Sequence, residues 1–176
     1  RDAVPWCPRC GTAISQHEIL TEEYKEITHD SIYVRYPIVG QAKTYLLVWT
    51  TTPWTLPANV ALAIDKDKQY VEGNIGGNRY YLLEKAVLRL GLKDLMRVKG
   101  NALLKMGWSY ASPFDDLPRV KKIMGLHPHE LIATEERILP INEDEGTGII
   151  HIAPGAGAED FQLAKTKQHF RIIDVF

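Results

Sequence analysis

The 176-residue sequence has only two cysteines, Cys7 and Cys10, and they stand together in Cys7-Pro8-Arg9-Cys10-Gly11-Thr12. A four-cysteine zinc site needs a second pair, and there is none. The histidines (His17, His29, His127, His129, His151 and His169) lack zinc-finger spacing and do not replace it. The motif reads as half of a zinc site completed elsewhere, with a redox pair or plain thiols as alternatives. Long apolar runs are also missing: none approaches the roughly 18 residues of a membrane helix. Charge of one sign is missing too, since the formal net charge is -1. A domain that grips nucleic acid alone carries a basic excess. Here the cations are dispersed, with small clusters at Arg119-Val120-Lys121-Lys122 and Lys165-Thr166-Lys167. If RNA is bound, most of the phosphate grip lies elsewhere. No G-x-S-x-G elbow, H-E-x-x-H or P-loop occurs. Without an evident nucleophile–base pair, any hydrolysis here uses a positioned water.

What is present suits one globular domain: 45% of residues are hydrophobic and 24% charged. Residues 1–17 read as a connecting arm and 18–176 as the domain. The first residues, Arg1-Asp2-Ala3-Val4-Pro5, carry no methionine and lead into no apolar signal region, which points to a segment of a longer cytoplasmic chain.

The patterning predicts strands at 31–39 and 44–50, the second apolar enough to be buried on both faces. Residues 69–72 and 79–83 flank a hairpin turn at Asn74-Ile75-Gly76-Gly77-Asn78. Residues 84–90 read as a helix closed by Gly91. Strands follow at 130–139 and 148–153, and a helix at 158–169 with acidic residues in its first turn. His127-Pro128-His129-Glu130 reads as a polar loop before a strand rather than a metal chelate. Strands dominate and βαβ alternation is missing, so the expected fold is β-rich: a closed or nearly closed β-barrel with peripheral helices.

Two segments can carry chemistry. Trp49-Thr50-Thr51-Thr52-Pro53-Trp54-Thr55-Leu56-Pro57-Ala58-Asn59 packs hydroxyls at the end of a buried strand, on backbone stiffened by two prolines. Three consecutive threonines cannot share one strand face. A Thr-rich strand end is the plain alternative. In Gly146-Thr147-Gly148-Ile149-Ile150-His151-Ile152-Ala153-Pro154-Gly155-Ala156-Gly157-Ala158-Glu159-Asp160, a strand ends at a histidine and a helix starts around two carboxylates. Free N–H groups of a first helical turn favour an ionised Asp160, a partner for an ammonium group. Simple helix capping by Asp160 and a satisfied core histidine at His151 are the alternatives.

Together these segments resemble the connective-peptide editing domain of isoleucyl-tRNA synthetases, the fold type shared with the valyl and leucyl enzymes. Those sister enzymes carry arginine in the threonine segment, whereas Thr52-Pro53-Trp54-Thr55 is the isoleucyl form. The resemblance spans nearly the whole chain, and Cys7 to Thr12 resembles the family's route into the insertion. It implies an aminoacyl-tRNA deacylase that hydrolyses Val-tRNA(Ile) after transfer, with pre-transfer editing as a further activity, and spares Ile-tRNA(Ile). The isoleucyl enzymes are themselves the standard illustration of why this is needed: one methylene is worth only about 1–3 kcal/mol in an apolar pocket. It further implies that Asp160 binds the α-ammonium of valine, and that Thr50, Thr51, Thr52, Thr55 and Asn59 hold the terminal adenosine and the ester. His151 lines the pocket and excludes isoleucine, and Trp54 packs on the substrate or its loop. The implied partners are tRNA and the rest of the synthetase, with no membrane. No cofactor is implied for the segment, and zinc on Cys7 and Cys10 belongs to the parent enzyme. A valyl- or leucyl-type editing domain and a non-catalytic tRNA-docking module are the competing readings.

Overall fold

The computed structural model describes residues 4–21, 28, 30–167 and 171–173, and it divides into two compact units, Arg1–Asp30 and Ser31–Phe176. The first unit contains the expected arm. Strands β1 (Trp6–Cys7) and β2 (Thr12–Ala13) pair antiparallel around the cysteine turn. Helix α1 (Gln16–Thr21) starts on a capping box: Ser15 Oγ accepts the Glu18 N–H, and Glu18 Oε2 accepts the Ser15 N–H at 2.7 Å.

The second unit runs β3 (Ile32–Pro37), β4 (Thr44–Thr50), a 3-10 turn (Pro53–Ala58), β5 (Ala61–Ile64), β6 (Gln69–Ile75) and β7 (Asn78–Leu83). It continues through a short 3-10 turn (Glu84–Ala86), α2 (Val87–Leu90), β8 (Lys93–Lys99), α3 (Gly100–Lys105), β9 (Ser109–Tyr110) and α4 (Pro118–Met124). It ends with β10 (His129–Ala133), β11 (Ile150–Ile152) and α5 (Ala158–Thr166). Two sheets form, in the orders β3-β4-β7-β6-β8 and β11-β5-β10-β9. Most neighbours are antiparallel, but β4–β7 and β5–β10 are parallel.

Side-chain alternation builds three layers of core. Leu46 and Val48 of β4, Leu62 and Ile64 of β5, and Tyr81 and Leu83 of β7 meet in one cluster between the sheets. The alternate residues Leu47, Tyr80 and Leu82 face outward and are covered by Ala86, Val87 and Leu92. Ala61 and Ala63 face outward from the other sheet, where Val120 and Met124 of α4 and Leu163 of α5 cover them. Both predicted buried faces of 44–50 are therefore real.

A closed ring is not formed. The sheets join at one corner, where Ile38 bridges Tyr110, the Val39 N–H donates to Ser109 O and the Ala111 N–H to Pro37 O. Among the described residues β8 and β11 end their sheets without a further ladder. The expected strand 148–153 shrinks to three residues because Gly148 is left-handed (φ 71) and Pro154 has no N–H to give a ladder. The strand expected at 130–139 stops at Ala133, where the Ile138 and Leu139 N–H groups turn back to Glu135 O. The hairpin turns at Gly76 and Gly77, both at positive φ. Gly91 ends α2 as predicted, left-handed and donating to Val87 O. Helix α5 ends at Thr166; of the segment predicted beyond it, residues 168–169 lie outside those described.

Gly148 fixes the approach to β11. A Cβ there would sit 2.5 Å from Leu83 Cβ, and its carbonyl accepts the Tyr70 hydroxyl at 2.9 Å. Gly76 has a similar φ and open space around it. Gly148→Ala is expected to cost at least about 2 kcal/mol more than Gly76→Ala, because both carry the left-handed strain but only one adds a core clash. Urea unfolding of the two variants measures the difference; equal losses contradict the tight approach at Gly148.

Candidate active site

Strand register brings the two chemical segments together. Leu46, Val48 and Thr50 share the inner face of β4, and His151 stands opposite Leu62 on the inner face of β11. The ends of these strands border a cleft of about 340 Å³, lined by Thr50, Thr52, Trp54, Thr55, His151 and Asp160, with Trp49, Ile150 and the 153–157 loop completing it. After β4, Pro53 opens a 3-10 turn that Thr55 tightens by donating from N–H and Oγ1 to Thr52 O, at 3.0 and 2.8 Å. Thr50 Oγ1 accepts the Thr52 N–H at 3.1 Å and lies 3.3 Å from Thr52 Oγ1.

His151 is buried, and both ring nitrogens are engaged. Asn59 Nδ2 lies 3.0 Å from Ala61 O and 3.2 Å from His151 Nδ1. The Ala61 carbonyl can only accept, which fixes the Asn59 amide: Nδ2 donates to Ala61 O and His151 Nδ1, and Oδ1 accepts the Tyr110 hydroxyl at 2.7 Å. Nδ1 of His151 is then an acceptor, so the ring proton sits on Nε2 and faces Thr55 Oγ1 at 2.8 Å. The chain Tyr110 → Asn59 → His151 → Thr55 → Thr52 O thus runs donor to acceptor in one direction. Burial lowers the His151 pKa to about 4, so the ring is neutral at physiological pH. With both nitrogens committed, His151 is a fixed wall and not a free base.

Asp160 is half-buried on the first turn of α5, but it does not cap that helix. Gly157 is the N-cap residue and makes no side-chain cap bond. Asp160 Oδ2 instead accepts the Ala153 N–H at 2.8 Å, across the loop. A Cβ on residue 157 would come within 3.1 Å of that carboxyl group, so glycine leaves the space it occupies. Burial raises the Asp160 pKa, Glu159 adds to the rise, and the Ala153 bond only partly offsets them. Burial thus outweighs both the helix terminus and the Ala153 bond, and the Asp160 pKa lies above the ordinary carboxylate value.

The other predicted residues separate. Thr50, Thr52 and Thr55 join His151 and Asp160, and Trp54 stands exposed on the rim. Thr51, just past the end of β4, lines instead a neighbouring cleft of about 230 Å³ that shares Trp49, Thr50 and Ile150. Thr147, in the same cleft, has a buried hydroxyl with no hydrogen-bond partner among the described residues. Asn59 lies behind the histidine, fully buried, and does not line the main cleft. Trp49, Ile150 and the Ala153 N–H belong to the site and escape sequence reading, because an apolar wall and a backbone donor leave no chemical mark in a sequence. In the first unit, the Cys10 N–H donates to Cys7 Sγ at 3.4 Å and the Gly11 N–H to Cys7 O at 2.9 Å. The Cys10 backbone bond, followed by that of its side chain, lowers the Cys7 pKa. Two cysteines could supply only half of a zinc shell, and no group of three or more metal-binding side chains exists among the described residues. His129, of the predicted polar loop, is buried at the start of β10, with Nε2 2.7 Å from Asp115 Oδ1.

No family model matches the chain. Individual relatives do. Isoleucine–tRNA ligase of Pyrococcus horikoshii is 38% identical over 172 residues, which cover 91% of this chain and 16% of that protein. Isoleucine–tRNA ligase of Methanothermobacter thermautotrophicus is 41% identical over 166 residues, 92% of this chain and 14% of that protein. The chain therefore spans about one sixth of the length of these relatives. Among solved structures, GlLeuRS-CP1 superposes with a TM-score of 0.62 at 17% identity, covering 77% of this chain and 59% of that one. The editing domain of the P. knowlesi cytosolic leucyl-tRNA synthetase gives 0.57 at 14%, covering 79% and 64%. Identities this low establish the shared fold alone. By sequence, then, the chain belongs with the isoleucine–tRNA ligases as one segment of their length, and its β-rich fold with peripheral helices is that of synthetase editing domains.

Proposed function

We propose that this chain is the editing hydrolase of an isoleucine–tRNA ligase, cleaving the ester of Val-tRNA(Ile) and sparing Ile-tRNA(Ile). The observation that carries the reading is the convergence of Asp160, His151 and three threonines on one small cleft. Asp160 Oδ1, which has no partner among the described residues, takes the α-ammonium of valine. Thr50, Thr52 and Thr55 offer hydroxyls to the ester and the water. The oxygen of that water attacks the carbonyl carbon, the bond to the ribose oxygen breaks, and valine and free tRNA leave. His151 has no nitrogen to spare for the water's proton, so a neighbouring ribose hydroxyl accepts the water's hydrogen bond and relays the proton to the departing ribose oxygen. The cleft beside Thr51 and Thr147 suits the terminal nucleoside. A near-neutral surface implies that the tRNA body is held by the rest of the synthetase. The cysteine knuckle is proposed as half of a zinc site that other cysteines of the same cytoplasmic enzyme complete; zinc would brace the fold there and take no part in hydrolysis.

Asp160→Asn separates this role from a structural one. Asparagine can still accept the Ala153 N–H, and it removes a carboxylate that burial disfavours. Because the folded pKa is raised, the ionised group costs stability as pH rises through that pKa, so the variant is expected to melt at the wild-type temperature or above it at pH 7. Deacylation of Val-tRNA is nevertheless expected to fall by at least about a hundredfold, from loss of a charge-assisted bond worth about 1.5–3 kcal/mol and the misplaced ester. Single-turnover rates and thermal melts decide; near-wild-type deacylation removes Asp160 from the site.

His151→Ala is expected to open the wall and allow cleavage of Ile-tRNA, with Val-tRNA cleavage retained. Discrimination by the wild-type protein is expected to be flat from pH 5 to 8, since the ring charges only near pH 4. Stability has the opposite sensitivity: the unfolded chain binds the His151 proton more readily, so stability falls as pH drops from about 6.5 towards 4. Loss of both activities and of stability in His151→Ala, with no gain on Ile-tRNA, reduces His151 to a core residue.

A further inference from the structure

Tyr110 lies outside both segments that carry the chemistry, on a two-residue strand of the smaller sheet. Its hydroxyl nevertheless begins the buried chain that ends in the cleft. It is 3% exposed, its ring meets Tyr36 edge-on at 5.2 Å, and it lies 5.2 Å from the His129 ring. Its backbone stands at the corner joining the two sheets, bridged to Ile38 and paired with His129. Burial pushes the phenol pKa well above its ordinary value, so the hydroxyl stays protonated and donates.

We infer that Tyr110 is a positioning residue for size discrimination: its hydroxyl adds the third anchor to an Asn59 amide whose orientation the Ala61 carbonyl sets, and so steadies His151 as an Nε2-protonated wall. The inference rests on the reading of His151 as the selective wall. The Asn59 Oδ1 acceptor is buried, and Tyr110 is its only partner among the described residues. Without that donor the amide loses one of its three anchors, and the imidazole ring it supports gains freedom to tilt. A tilt makes room for the extra methylene of isoleucine while leaving Asp160 and the threonines untouched.

The test is single-turnover deacylation of Val-tRNA(Ile) and Ile-tRNA(Ile) by the wild-type protein, Tyr110→Phe, His151→Ala and the double variant. Tyr110→Phe is expected to raise the Ile-to-Val rate ratio on the order of tenfold, the scale of one orphaned buried hydrogen bond, with Val-tRNA cleavage within a few-fold of wild type. In the His151→Ala background the same change is expected to leave the ratio unmoved, because the wall it positions is gone. An unchanged ratio in Tyr110→Phe, or equal increments in both backgrounds, overturns the inference and leaves Tyr110 as packing. Should Tyr110→Phe not fold, Asn59→Ala removes the amide without burying a charge and withdraws the donor from His151 Nδ1. It is expected to raise the ratio in the same way, and a wild-type ratio there also overturns the inference. Failure of the wild-type protein to cleave Val-tRNA is a different result, and it removes the editing reading itself.

Discussion

The site depends on one buried run of hydrogen bonds, from the Tyr110 hydroxyl through Asn59 and His151 to Thr55. Burying an amide, an imidazole and a hydroxyl is unfavourable unless every group finds its partner. Here the partners are found in only one arrangement, because the carbonyls of Ala61 and Thr52 can do nothing but accept. A network satisfied in a single way gives a stiff surface. Stiffness is what rejection by size requires, since a wall that yields readily admits one more methylene.

The same cleft places the opposite kind of group beside that wall. Asp160 is half-buried with its pKa raised by burial, whereas burial keeps His151 neutral. On the proposed reading, the carboxylate takes the ammonium of the substrate and the barrier measures what is attached to it. The fold supplies both through short elements: a three-residue strand followed by Pro154, and a loop whose Gly157 leaves space for the carboxyl group. The sheets need not close into a ring to do this, because the site lies at the ends of β4 and β11, where the inner faces meet.

Much of this is legible in the residues. Strand 44–50 announces its double burial by an unbroken apolar run, and the threonine and Gly-Thr-Gly segments mark the site by their residue types alone. The roles of Asn59 and Asp160 are not legible, for different reasons. Asn59 sits next to the threonine run in sequence, so it reads as a ligand, yet its contact with Tyr110 spans 51 residues and turns it into a support. For Asp160, proximity to a helix start suggests stabilised charge, and only the three-dimensional burial tips the balance the other way. The short strands β5 and β9 and the parallel pairings β4–β7 and β5–β10 also leave no signal, since register between distant segments is decided by the packed core.

The proposed selectivity of the cleft turns on His151 being locked by its neighbours as the neutral, Nε2-protonated ring. Nitrogen-15 NMR of the imidazole tests this most directly, since protonated and bare ring nitrogens resonate far apart. A bare Nδ1 and a protonated Nε2 are predicted for His151, unchanged from pH 8 down to pH 5. A proton on Nδ1, or a ring that titrates near the ordinary histidine value of about 6.5, would contradict it.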